Sequence, residues 1–274
     1  MFDILNQWRD LIEAALEERS TQAFPADEQL SSVAKYVLLG GGKRLRGLLV
    51  LALAHDCGAE IDRESPYLDV AVALEALHAA SLVHDDLPAL DNDAMRRGKP
   101  SCHVAFGEST AILAGDAIVG LAFFALGEAM LGDRERSVSL CALADAWTRL
   151  CRGQILDLMT AGKGVSREVM ALKTGALFAA AAVAGVSAVA TASELRAWSE
   201  WGTALGVLFQ KIDDVLDGEG AVADLGAVRS EIDSLILELR EWCKCTEQAP
   251  PLMAEKVMHL FIPAHVRPAL SSNG

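Results

Sequence analysis

Residues 67–91 read YLDVAVALEALHAASLVHDDLPALD, an apolar run that ends abruptly in carboxylates. From Tyr67 to Leu87 hydrophobic residues occupy nearly every helical face, which predicts a long, largely buried helix. Pro88 ends it, because proline disfavours helical geometry in the residue before it and lacks a backbone donor. Asp85, Asp86 and Asp91 therefore fall at a helix C-terminus, where the partial negative charge of the backbone opposes them. Bound cations would reverse that sign.

A second cluster, Asp213-Asp214-Val215-Leu216-Asp217, lies in another apolar helix. Asp213 and Asp217 are four residues apart and share a face, while Asp214 is turned about 100° away. A buried carboxylate is costly unless it is neutralised or bound to a cation. One such cluster alone reads equally well as a solvated acidic surface. Two clusters facing one cavity call for a hard divalent ion, Mg²⁺, held by monodentate carboxylates while water and ligand phosphate complete the octahedra.

Working outward, the opening segment carries Leu5, Trp8, Leu11, Ile12, Ala15 and Leu16 at helical spacing and is interrupted around Pro25. A helix from Glu28 to Leu39 follows. Gly40-Gly41-Gly42 breaks the pattern before Lys43-Arg44-Leu45-Arg46, and Gly47 to His55 resumes it. Further helices are expected over Ser109 to Leu131, Arg136 to Thr160, Ser166 to Val183, Glu194 to Leu216 and Leu225 to Trp242. No strand of useful length, tandem repeat or linker is evident. One all-α domain spanning residues 1–274 is the economical reading.

Composition agrees, with 52% hydrophobic and 23% charged residues and few aromatics. The net charge of −14 argues against general nucleic-acid binding and means that an anionic ligand needs a local basic site. Six scattered cysteines, Cys57, Cys102, Cys141, Cys151, Cys243 and Cys245, lack zinc spacing and read as reduced thiols of a cytoplasmic protein. Met1 to Arg19 lacks the pattern of a signal peptide. Ala176 to Ala192 is apolar but short and built from small residues, which favours a helix packed between helices over a membrane span.

The local basic sites are Lys43 and Arg46 after the glycines, Arg96 and Arg97 after the first cluster, and Lys173 before Thr174. Each alone is an ordinary surface charge. Set in apolar helices beside the acids, they read as a diphosphate cradle.

These segments together resemble the trans-isoprenyl diphosphate synthases. The resemblance is carried by Gly41-Gly42-Lys43-Arg44-Leu45-Arg46, by Leu77-His78 through Asp91-Asn92-Asp93 with Arg96-Arg97-Gly98, and by Gly107-Glu108 before Ala114-Gly115-Asp116. Gly153-Gln154 before Asp157, Lys173-Thr174-Gly175 and Phe209-Gln210-Lys211-Ile212-Asp213-Asp214 continue it in family order. It covers roughly residues 30 to 217. It implies an isoprenoid-synthase-type helical bundle around a deep central cavity, and a homodimer.

The resemblance also implies roles. Gly42, Lys43, Arg46, His78 and Arg97 would form the site for isopentenyl diphosphate. Asp85, Asp91 and Asp213 would coordinate three Mg²⁺ bridging an allylic diphosphate, with Asp86 and Asp217 acting through water and Arg96 and Lys173 contacting the same leaving group. Ionisation gives an allylic cation that the alkene of isopentenyl diphosphate attacks. Thr174 and Gln210 would turn oxygen dipoles towards that cation. His84 receives no ligand role, and Trp198 and Trp201 read as core.

In this family the residue five positions before the first aspartate lies below the growing chain. Here it is Ala80, with Leu77 and Leu74 one and two turns deeper as a floor, which favours geranylgeranyl diphosphate (C20) over farnesyl diphosphate (C15). The C-terminal region 218–274 departs from the pattern: it looks shortened, and Gly218 to Trp242 contains no lysine where relatives carry a lysine-bearing loop. Arg229 and Arg240 are the cations left there. Gly47 stands where many members have proline. A non-catalytic partner subunit is the alternative that this departure keeps open, although such subunits tend to lose the aspartates. A terpene cyclase would not need the Gly42-Lys43-Arg46 site.

Overall fold

The computed structural model describes residues 3–24, 28–160, 166–216, 225–245 and 252–260. It is all-α, as the composition predicts; the sheet seen among the described residues is a two-stranded antiparallel hairpin of Met95–Arg96 (β1) and Lys99–Pro100 (β2). Two compact units divide the chain, Met1–Leu51 with Ile61–Leu140 and Ala52–Glu60 with Cys141–Gly274.

The first unit contains α1 (Asp3–Ala23), α2 (Glu28–Leu38), most of α3 (Leu45–Asp56), α4 (Tyr67–Asp85), the hairpin, α5 (Cys102–Phe106), α6 (Glu108–Glu128) and the start of α7 (Asp133–Thr160). α1 turns Leu5, Trp8, Ile12 and Leu16 into the core, three or four residues apart as an amphipathic helix requires. α4 packs along α6 and against α1 and α2. It is buried over almost its whole surface, with Leu74, Leu77 and Ala80 at 0% exposure.

Two carboxylates are carried into that interior, and both are paired. Asp69 accepts from Arg19 at 2.6 and 2.9 Å. Glu75 faces Arg44 at 3.6 Å and accepts the Gly47 N–H at 2.9 Å. Breaking such a pair would leave an uncompensated buried charge, which is why these positions tolerate acids at all. α4 stops at Asp85, two residues before the expected end. The N–H groups of Asp86 and Leu87 turn back to Leu82 and His84 oxygens at 3.1 Å each, closing the helix before Pro88 intervenes.

The second unit contains the end of α3, the rest of α7, α8 (Arg167–Met170), a π-turn (Ala171–Gly175), α9 (Ala176–Gly185), α10 (Ala192–Leu216), α11 (Leu225–Cys245) and α12 (Leu252–Leu260). The sequence predicts one helix from Ser166 to Val183. The structure inserts the π-turn into it, an extra residue that a 3.6-residue periodicity does not reveal. α9 is the expected small-residue helix, though it stops at Gly185 and not at Ala192, and it packs on α10. A Cβ on Gly202 would come within 2.6 Å of the Phe178 oxygen, and one on Gly206 within 2.6 Å of the Gly175 Cα.

Trp198 and Trp201 meet edge to face at 5.3 Å, and Trp201 Nε1 donates to the Leu235 oxygen at 3.1 Å, as core residues do. The first amides of α12 are satisfied from elsewhere in the unit: the Asp56 carboxylate accepts from Met253 at 3.3 Å and Ala254 at 2.9 Å. Arg240 pairs with Glu255 at 2.7 Å, joining α11 to α12. Glu108–Glu128 and Arg167–Gly185 have the length and apolarity of a membrane span, with 44% and 67% of their most apolar windows buried in the protein.

Candidate active site

The first unit presents the glycine-rich loop. Gly41 and Gly42 adopt φ of 87° and 137°, and Arg44 takes 50°. Only glycine enters the first two conformations without strain. At Gly42 space also decides: a Cβ there would lie 2.9 Å from the Arg97 Cζ. Arg97 donates to the Gly41 oxygen, so one predicted cation is fastened to the loop that carries two others.

Arg44 does something different from its neighbours. It is buried and bound by Glu13 at 2.7 and 3.0 Å, with the Leu38 oxygen and Glu75 also in reach. Its guanidinium is an anchor for the loop and is unavailable to a ligand. Nothing in the local sequence reveals this, since Glu13 lies on α1. The Gly47 N–H bonded to Glu75 gives physical content to the departure from proline, which has no such donor.

Lys43 is exposed and Arg46 is buried. The His78 imidazole is held well below its ordinary value, first by burial and then by the cations of Arg46 and Arg97. A neutral imidazole among guanidinia can donate to a phosphate oxygen without adding charge.

At the end of α4, the Asp91 N–H bonds the Asp85 oxygen at 2.8 Å, and the Asn92 N–H reaches the Leu87 oxygen at 3.1 Å with Asn92 at φ 53°. The loop thereby returns Asp91 to the helix end that bears Asp85. Asp86 is 2% exposed and is grasped by Arg96, whose Nε lies 3.0 Å from Oδ1 and whose terminal nitrogen also donates to Asp93 at 2.9 Å. Burial raises the Asp86 carboxyl from its ordinary value, with Arg96 opposing that rise.

His84 turns towards α6, 3.3 Å from the Ile112 oxygen and 3.7 Å from Asp116. Gly115 makes the space, since a Cβ there would fall 2.2 Å from the His84 Nε2.

The second unit holds the other predicted residues. Lys173 and Thr174 both lie in the π-turn. Lys173 Nζ donates to Asp157 at 2.8 Å, and Thr174 Oγ1 donates to Gln210 Oε1 at 2.9 Å. Gly153 allows α7 to come this close, because a Cβ there would be 2.7 Å from the Lys173 nitrogen and 2.8 Å from the Leu172 Cβ. Asp213 follows Gln210 by three residues on α10 and is half-buried. Asp217 and the loop 218–224 lie outside the described residues, as do the side chains of Asp214 and Arg229.

Among the described residues, the first unit thus joins Arg97 to the glycine loop and Asp91 to Asp85, and the second brings Lys173, Thr174 and Gln210 together. Asp157 and Asp86 emerge as the partners of Lys173 and Arg96, pairings that the sequence does not reveal because the members lie 16 and 10 residues apart. Arg240 proves committed to Glu255 and is not the spare cation it looks in the sequence. No group of three or more His, Cys, Asp or Glu side chains gathers at one point among the described residues. The hard oxygen pair Asp85 and Asp91, tied by a backbone bond, nevertheless suits an ion that takes two carboxylates and draws its other ligands from water and phosphate.

The family described as polyprenyl synthetase matches residues 27–231, and the chain belongs to it. The farnesyl diphosphate synthase of Escherichia coli (strain K12) is 42% identical over 204 residues, covering 70% of this chain and 67% of that protein. Geranylgeranyl pyrophosphate synthase 4 of Arabidopsis thaliana is 38% identical over 229 residues, covering 79% of this chain and 60% of its own length. Among solved structures, an FPP/GFPP synthase from Zymomonas mobilis superposes with a TM-score of 0.80 at 30% identity, covering 95% of this chain and 99% of that one.

The protein is therefore a prenyltransferase of the all-α isoprenoid-synthase fold, in a family whose chemistry depends on divalent metal. Its relatives are short-chain prenyl diphosphate synthases that include both farnesyl and geranylgeranyl enzymes.

Proposed function

We propose that the chain condenses isopentenyl diphosphate with allylic diphosphates and releases geranylgeranyl diphosphate as its main product. The observation that carries the reaction is the fastening of Arg97 to Gly41 beside Gly42. It gathers cations around the loop of Lys43 and Arg46, with neutral His78 close to Arg46 and Arg97. Such a site suits a second diphosphate, which a cyclase acting on one substrate would not bind.

On this reading Asp85, Asp91 and Asp213 hold three Mg²⁺, and Arg96 and Lys173 stabilise the charge that grows on departing pyrophosphate. The Thr174 and Gln210 oxygens face the allylic cation, and pyrophosphate removes the final proton. This reading takes residues 1–274 as one catalytic domain.

Ala80, Leu77 and Leu74 support the C20 product, since a small side chain at Ala80 leaves depth and the two leucines close it. The 42% identity to a farnesyl enzyme favours C15 as the second reading. Ile112, Leu113, Phe123 and Phe124 are exposed on α6 and share one face at helical spacing. That face supports a homodimer, and we place the enzyme in the cytoplasm.

The test is incubation of the purified protein with Mg²⁺, isopentenyl diphosphate and dimethylallyl, geranyl or farnesyl diphosphate separately, with the dephosphorylated products identified by mass. A C20 alcohol is expected, and Ala80→Tyr should shorten it. A C15 endpoint would refute the depth argument, and no elongation from any primer would refute the synthase.

A further inference from the structure

Gln154 lies on α7, next to Gly153 and three residues before Asp157. It is 7% exposed, and among the described residues neither its Nε2 nor its Oε1 has a hydrogen-bond partner. A buried amide with both functions unmet weakens the protein that carries it, so its presence asks for something that completes it.

The surroundings narrow the choice. Gly153 lets α7 lie against the backbone of Leu172 and Lys173. Asp157, on the adjoining part of the same helix surface, holds the Lys173 ammonium at 2.8 Å. Gln154 therefore sits on α7 between the glycine that meets the Lys173 backbone and the aspartate that holds the Lys173 ammonium, the cation assigned to the allylic diphosphate.

We propose that Gln154 is a further substrate-binding residue whose amide is completed by that diphosphate. Nε2 donates to a phosphate oxygen, and Oε1 accepts from a water molecule held by the same group. A hydrated diphosphate offers an acceptor and a donor side by side, which is the pairing an amide needs and which a hydrocarbon tail lacks. This rests on the assignment of Lys173 made above.

Free-protein stability separates this role from a structural one. An amide bridged to the protein by resident water contributes to the stability of the free enzyme, whereas one reserved for a ligand subtracts from it. Gln154→Met keeps the length of the side chain and removes both polar atoms; Gln154→Leu is the second variant.

Without ligand, the thermal midpoint of each should rise by about 2–4 °C. Mg²⁺ with geranyl thiodiphosphate, an unreactive allylic analogue, should raise the midpoint of the variants less than that of the natural enzyme. The KM for the allylic substrate should rise about tenfold, with that for isopentenyl diphosphate unchanged. Lower free midpoints in both variants would overturn the proposal, as would an undiminished analogue shift with an unaltered allylic KM. A natural enzyme that neither responds to the analogue nor elongates any primer would instead overturn the synthase reading on which it stands.

Discussion

The Arg96 guanidinium closes on the buried Asp86 carboxylate, Nε to Oδ1 at 3.0 Å, at the end of α4 that bears Asp85. The second aspartate of the motif is thus spent on aiming an arginine. Asp86→Asn and Arg96→Lys should each lower kcat/KM for the allylic substrate by about tenfold or more, because a bidentate charged pair is worth more than a neutral or monodentate one. The double variant should be little worse than either single one, since both remove one coupled device. Steady-state kinetics of the four proteins checks this, and full additivity would show that the residues act separately.

Gly153 carries a comparable load in the other unit. Gly153→Ala would push on the Lys173 nitrogen and Leu172 Cβ and displace the π-turn that orients Lys173 and Thr174. Misplacing such groups by about 1 Å can cost about 100-fold in rate. We expect a fall in kcat of that order with circular dichroism unchanged, and normal turnover would show that Gly153 does not set the position of Lys173 and Thr174.

Gly47→Pro installs the family's usual residue and deletes the N–H that Glu75 accepts at 2.9 Å. A hydrogen bond to a charged group contributes about 1.5–3 kcal/mol. The added ring also meets the Ile12 Cδ1, 3.0 Å from a Cβ at this position. The thermal midpoint should fall by about 5 °C, and a rise would show that the relatives' solution transfers intact.

His78 gives a pH signature with a definite sign. Its folded value lies well below the ordinary 6.5, so acidification protonates the unfolded chain first and stability falls as pH drops below about 6.5. The loss ends at the depressed folded value. His78→Gln should flatten this part of the acid limb of a stability profile measured by denaturant titration, and an unchanged slope would assign the limb to other groups.

These cases show how far the sequence could be read. The aspartate clusters, the glycine loop and the cations stood out because charge in apolar surroundings demands an explanation, and α4 was legible from its unbroken hydrophobicity. The π-turn was not, because inserting one residue into a helical pattern leaves the composition of each face nearly unchanged. Arg44 looked like its basic neighbours until Glu13 and Glu75 closed around it, since a partner on a distant helix leaves no local trace. The Lys173 and Asp157 pair was visible only as two motifs, without the geometry that joins them.

Asp56 raises a question of timing. Its carboxylate is desolvated enough to hold its proton more tightly than usual, and the amides that receive it belong to Met253 and Ala254. During synthesis nearly two hundred residues must leave the ribosome between the acceptor and its donors. Until then the nascent enzyme carries an unmet acid at a position destined for its interior. Helix α12 is thus a closing bolt, and a chain released before residue 253 would retain every diphosphate-binding motif described above and still lack a finished second unit.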